Sequence, residues 1–215
     1  MQHQHAWFSR VRLMTGFAVT IALLGGMVAC KHGDSDSSSS RAPGAPVDVP
    51  MAYHPTNVAS GGIPTGSAKI YIAPVDDKRT DTSQIGQNTE ETPNVSIHAA
   101  GGTPADFVHD ALTQEMKKLG INIVDSATGA DRQIQVSLST FRSDEGGTYH
   151  GQILCIVNVT DASGKSLYKS SESGESSTWG KSLSPTNYQQ VLSNAMADLI
   201  SSLLKDQNFV KALSM

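Results

Sequence analysis

Residues 133–164 read QIQVSLSTFRSDEGGTYHGQILCIVNVTDASG, and the fold is decided there. Ile134, Val136 and Leu138 alternate with Gln133, Gln135, Ser137 and Ser139, the period-two pattern of a strand with one apolar and one wet face. Gly146-Gly147 turns the chain, and 152–159 is apolar on both faces, as a strand inside a sheet should be. Asp161-Ala162-Ser163-Gly164 reads as a hairpin turn into a further strand over 166–176. The stretch is an antiparallel meander.

Two helices flank it. On the C-terminal side Ser184-Pro185 starts a stripe of Tyr188, Val191, Leu192, Ala195, Met196, Leu199, Ile200, Leu203 and Leu204, wide enough to cover a sheet. A last short segment, 209–213, follows. On the N-terminal side Thr103-Pro104-Ala105-Asp106 supplies a cap, a proline at the first helical position and an acid near the free amides. Phe107, Val108, Ala111, Leu112, Met116 and Leu119 then keep helical spacing, and Gly120 is the stop. Before it, 68–75 reads as a strand, 76–88 as a polar loop and 93–98 as a short strand; 121–124 is another. The expected fold is α+β: an antiparallel sheet of about four to five strands with two main helices packed on one face. It occupies 68–215 as a single globular domain large enough to fold without a metal or disulfide.

The N-terminal third is different chain. Residues 31–67 are rich in Ser, Gly, Pro and Asp and show no period, so they read as a flexible tether, although 47–53 has the composition for an edge strand. Ahead of them, Arg10 and Arg12 precede the uncharged run 13–28, which as a helix covers roughly 24 Å at about 1.5 Å per residue. That is short of the roughly 30 Å hydrocarbon core, so 1–29 reads as a cleaved signal rather than a span. The Ala29-Cys30 junction resembles a bacterial lipobox, with Met27 standing where Leu, Val or Ala is usual. The resemblance implies cleavage before Cys30 and acylation of its thiol and new amine, with more than one chain for durable anchoring. Lys31 after the cysteine favours the outer membrane, with the domain facing the periplasm.

Composition narrows the function. Loss of 1–29 removes Arg10 and Arg12, leaving 14 basic residues against 20 acidic, a surface that repels phosphate backbones, so no nucleic-acid partner is expected. Cys155 is then the lone thiol, within the apolar run 153–157, where a buried small hydrophobe is the expected reading. The histidines of the mature chain, His32, His54, His98, His109 and His150, are dispersed, with no zinc spacing among them. Gly174-Glu175-Ser176-Ser177 fails the nucleophile-elbow pattern at its last position, and the paired glycines lack a phosphate-loop Lys-Ser/Thr. No enzyme activity, metal or cofactor is expected.

Two places invite closer reading. Asp76, Asp77 and Asp81 offer oxygens to a hard cation, but Lys78 and Arg79 sit among them, and an ion pair between Asp77 and Arg79 is the preferred reading. Trp179, between Thr178 and Gly180, either anchors an interface or closes the core beside the following helix.

The lipidation signal, Asp77-Lys78-Arg79-Thr80-Asp81 after a strand, Ile85-Gly86, the helix with Leu112, Met116 and Gly120, and the tail Asn187, Val191, Leu192, Leu199 and Phe209-Val210 together resemble the YajG-like lipoproteins of Gram-negative envelopes. The resemblance spans about 68–213 plus the signal. It implies an outer-membrane-associated lipoprotein of uncharacterised role with no catalytic residues to carry over; the expectation for the chain itself is a non-catalytic role through contacts with an envelope protein. The layout also looks like that of auxiliary lipoproteins of lipid-transport systems, which implies a lipid- or ligand-binding component instead.

Overall fold

The computed structural model describes residues 41–62, 64 and 66–214. Cys30, the expected lipidation site, and the expected signal lie outside the described residues.

The chain runs β1 (Val47–Pro50), β2 (Ile70–Ile72), β3 (Asp76–Asp77), β4 (Gln84–Asn88), β5 (Val95–Ala100), α1 (Pro104–Lys118), β6 (Ile123–Val124), β7 (Arg132–Glu145), β8 (Tyr149–Asp161), β9 (Ser166–Thr178), α2 (Pro185–Lys205) and α3 (Gln207–Leu213). The meander of β7, β8 and β9 is as the alternation demands, antiparallel throughout. The expectation of a four- to five-stranded antiparallel sheet with two main helices is corrected by the rest. Among the described residues the sheet has nine strands and is mixed, and α3 is a third helix.

The added strands share a physical cause. β7 is long enough to pair in succession with β2, β3 and β4 along its free side, all parallel, while β6 adds to β2 and β5 and β1 extend beyond β4. Four of these pieces are only two to four residues long, too short to show a period of two. β4 arises inside the expected polar loop with a single large apolar side chain, Ile85, held by its backbone pairing to β5.

A bulge in β7 between Leu138 and Thr140 reverses the alternation, so Phe141, Ser143 and Glu145 face the core after Ile134, Val136 and Leu138 have done so. Phe141 stands opposite Ile153 of β8 and meets Phe107 of α1 edge-on, with centroids 5.3 Å apart. α2 covers the same face of β8 and β9. At Gly151 and Gly174 its backbone comes so near the strands that no side chain fits beneath it. Helices thus line one face, and among the described residues nothing covers the opposite, bare face of β7–β9.

α1 begins as its sequence demands: the Thr103 side chain accepts from the Asp106 N–H at 3.1 Å and the Asp106 carboxylate accepts from the Thr103 N–H at 3.3 Å. Arg132 closes the other end of the fold by donating to the carbonyls of Ala212 and Ser214 at the end of α3.

Residues 52–62, expected as tether, lie along α2. The His54 N–H donates to Ser193 Oγ, the Thr56 N–H to Asn194 Oδ1, the Ser60 N–H to Ser201 Oγ and the Gly62 N–H to the Leu204 carbonyl. Ser193, Asn194 and Ser201, buried polar residues within the apolar stripe, are there to satisfy this strap. Both β1 and the strap 52–62, ahead of residue 68, are thus packed on the fold.

Candidate functional site

Between the end of β3 and the start of β4, the side of β7 away from β8 has no strand paired to it among the described residues, and the loop 78–83 bridges the opening. The Asp77–Arg79 ion pair sits in that opening. Arg79 Nη2 donates to Asp77 Oδ2 at 2.7 Å and Nε to Oδ1 at 2.9 Å, with side chains only 7% and 15% exposed. The guanidinium also reaches the carbonyls of Thr82 at 3.2 Å and Phe141 at 3.4 Å, and lies 5.7 Å from the centre of the Phe141 ring. It supplies donors where a neighbouring strand would otherwise have done so. Asp76 pairs with Lys78, and Asp81 accepts from the N–H groups of Ser83 and Gln84. The three acids are thus engaged separately, and among the described residues no cluster of His, Cys, Asp or Glu has the makings of a metal site.

At the far end of β7 a second buried carboxylate forms no ion pair among the described residues. Glu145, 2% exposed, accepts from the Tyr188 hydroxyl and, at 3.1 Å, from the Leu183 N–H. It lies just ahead of the N-terminus of α2, whose first turn has no acid of its own and whose Ser184 makes no side-chain cap bond. Tyr149 completes the arrangement, donating to the Lys181 carbonyl and accepting from the Ser184 N–H at 3.0 Å. Its ring meets that of Tyr188 edge-on at 4.7 Å. The loop 179–184, including Leu183 at φ +57°, is pinned from below by these groups.

Burial would push the Glu145 carboxyl up, but the hydrogen bonds from Tyr188, Ser182, Leu183 and Asn88 outweigh it and hold the group below its ordinary value. At Asp77 burial is likewise outweighed, by the hydrogen bonds and charge of Arg79. A carboxyl depressed in the folded state contributes stability that is fully present above its unfolded value, about 4.3 for Glu, and lost as pH falls through the folded one. Glu145→Gln is therefore expected to flatten the acid limb of stability against pH below about pH 4, as read by urea titration. An acid limb identical to that of the parent protein would show that Glu145 takes no part in it.

Trp179 stands on the pinned loop and is 79% exposed, which rejects the reading in which it closes the core. Cys155 is fully buried, and burial pushes its thiol up to about 12, so it behaves as a small hydrophobe. On the bare face, Arg142 and Asp144 of β7, His150 and Gln152 of β8, and Glu175 and Ser177 of β9 line a cleft of about 620 Å³. No sequence pattern brings these side chains together. They meet only because Arg142, Gln152 and Glu175 fall in one cross-strand row and Asp144, His150 and Ser177 in the next.

β9 is an edge strand of 13 residues, paired on one side with β8. The Glu175 N–H points away from β8 and donates to Asp198 of α2 at 3.2 Å. By alternation Lys169, Ser171 and Ser173 also turn their backbone groups to the open edge. β1, the edge at which the chain from residue 41 enters, lies five strand spacings away, roughly 24 Å at about 4.8 Å each.

Among the described residues the fold is a mixed sheet with helices on one face of β7–β9, an uncovered polar face opposite and one long unpaired edge at β9. No family model and no curated protein sequence matches the chain. Among solved structures it is similar to protein XCC0632 from Xanthomonas campestris, of family DUF330, with 12% identity, a TM-score of 0.57, and coverage of 75% of this chain and 96% of that one. The likeness is one of fold. Looser overlaps are with a PelC dodecamer from Paraburkholderia phytofirmans (11% identity, TM-score 0.44, 71% and 95% covered) and a candidate lipoprotein from Caulobacter crescentus (14%, 0.42, 53% and 86%). Among the described residues no helix is long and apolar enough to cross a membrane.

Proposed function

We propose that this protein is a non-catalytic, YajG-like lipoprotein, held by acyl chains on Cys30 at the periplasmic side of the outer membrane, that works by lending a sheet edge to an envelope protein. The observation that carries the reading is β9, whose open edge lies on the side of the sheet away from the point where the tether enters. Sheet extension gains affinity from backbone hydrogen bonds and needs little side-chain chemistry, which suits a strand dominated by serine. Lys169 on the strand and Asp198 at Glu175 N–H keep this edge from indiscriminate pairing. The alternative of a lipid-binding auxiliary component needs an apolar cavity between helices and sheet. Phe107, Phe141, Tyr149, Leu192 and Leu199 fill that layer and are each no more than 2% exposed.

The test uses the full chain expressed in a Gram-negative host. Cys30→Ser is expected to move the protein from the membrane to the soluble periplasmic fraction. A photo-crosslinking residue at Ser171 is expected to give a discrete adduct that Ser173→Pro abolishes, whereas the same probe at Gln135 on the bare face gives none. A Cys30→Ser protein that stays membrane-bound would overturn the anchor, an adduct indifferent to Ser173→Pro would overturn the edge, and lipid retained in native mass spectra would favour the auxiliary component.

A further inference from the structure

The open edge of β9 carries the same order of charge in two layers. In the strand, Lys169 and Glu175 are both exposed on the bare face, six residues and so roughly 20 Å apart at about 3.4 Å per residue. In the helix layer, Asp198, Ser202 and Lys205 are the residues of 191–205 that are not buried, and their spacing of four and three puts them on one side of α2. Asp198 accepts from the Glu175 N–H at 3.2 Å, so that side of α2 looks out over the open edge. Gly174 lies beneath Ala195 and Leu199, and Tyr168 near the start of β9 meets Phe209 of α3, their ring centroids 5.3 Å apart. The C-terminal end of α2, with Lys205, therefore lies toward the start of β9. Carboxylates gather at one end of the edge, Glu175 in the strand and Asp198 in the helix, and ammonium groups at the other, Lys169 and Lys205.

That order is complementary to itself when reversed. An antiparallel copy brings each basic end to the partner's acidic end in both layers at once, which is the contact a two-fold axis makes. Serine supplies no side-chain pocket by which a foreign strand would be chosen, so the charges carry the selection. We infer that the partner of the β9 edge is a second copy of this chain, joined across a two-fold axis into one continuous sheet. The inference rests on the edge reading proposed above and names its partner. The register follows from the groups that are free. With Glu172 on the axis, two carboxylates would face each other and the Glu175 N–H would have to leave Asp198. With Ser171 on the axis, Lys169 lies opposite the partner's Ser173 and Ser171 opposite the partner's Ser171, and all three turn their backbone groups to the open edge. Lys169 then reaches the partner's Glu175 on the diagonal, and Glu172 stands opposite the partner's Ser170, a hydroxyl donor. Acyl anchors of the kind proposed above hold copies in one plane, which raises the concentration of one edge at another.

The test uses the full chain in a Gram-negative host, with the photo-crosslinking residue at Ser171. The adduct is expected to have twice the monomer mass and to yield peptides of this chain alone by mass spectrometry. Lys169→Glu and Glu175→Lys are each expected to lower its yield at least about tenfold, since two attractive contacts per dimer become repulsive. Co-expression of the two variants restores it, because each copy then offers the charge the other lacks, and so does the double variant. Circular dichroism of the purified variants is expected to match that of the parent, as both side chains are exposed. An adduct containing a different protein would overturn the inference and leave the edge reading standing. No adduct at all would overturn both. A self-adduct whose yield neither charge reversal lowers, or that co-expression of the two fails to restore, would overturn the two-fold pairing.

Discussion

Gly174→Ala is expected to destabilise the protein by at least about 3 kcal/mol, one of the larger effects a single methyl group can have. The methyl carbon would lie 2.0 Å from the Ala195 carbonyl oxygen, 2.6 Å from the Leu199 nitrogen and 2.8 Å from Leu199 Cβ. Two of these are backbone atoms in the middle of α2 and cannot swing aside as a side-chain tip does. Relief requires lifting the helix by more than 1 Å toward the usual carbon–carbon contact of about 3.5–4.0 Å, which strips dispersion contacts from every residue beneath it. Leu192, Ala195, Met196 and Leu199 are fully or almost fully buried and all ride on that helix. Gly151 repeats the constraint one strand away, with a Cβ 2.5 Å from the Val191 carbonyl oxygen, so α2 cannot tilt to escape. The measurement is a urea titration of Gly174→Ala beside Ser173→Ala, whose side chain is exposed on the bare face. For a domain of this size the expected loss is about 6–12 °C in Tm. A difference between the two variants below about 0.5 kcal/mol would mean that the helix does not sit where the structure puts it.

That prediction shows where the sequence was legible. The alternation at 134–138, the turn at 161–164, the capped start at Thr103 and the stripe of α2 each follow from a local period or a local cap, and the structure has them all. Glycine in mid-strand is itself a sign of a close backbone neighbour, but nothing in the neighbouring sequence says which element approaches. The short parallel strands β2, β3 and β6 exist only through partners far along the chain, so no local pattern announces them. The bulge at Ser139 lets one strand present two alternations of opposite phase, which hides its second half. Serine and asparagine inside the α2 stripe look like interruptions until the strap at 52–62 is seen to need them. Of the candidate site, the pair of Asp77 and Arg79 was visible because both partners lie two positions apart. The cleft was not, because its residues come from three strands and meet only through register.

Arg79→Ala is expected to cost about 3–5 kcal/mol, as breaking one side of a buried ion pair does. The loss is larger than for a surface pair because Arg79 serves several acceptors at once. Its removal leaves the Asp77 carboxylate uncompensated at 15% side-chain exposure and takes the donors away from the Thr82 and Phe141 carbonyls in the opening beside β7. Arg79→Lys is expected to recover only a minor part, since a single ammonium cannot span both carboxylate oxygens and also reach the two carbonyls. Asp77→Asn should cost less than Arg79→Ala, because the arginine it strands keeps its bonds to the two carbonyls and its place over the Phe141 ring. A double-mutant cycle over Asp77 and Arg79 separates the pair from the rest: a coupling near zero would show that the carbonyl contacts alone account for the effect. The same variants decide between the two readings of the acidic loop. If the pair is purely structural, calorimetric titration with Ca²⁺ gives no heat of binding with the parent protein or with Arg79→Ala, whereas micromolar binding by the parent would make Asp76, Asp77 and Asp81 a cation site that Arg79 merely borders.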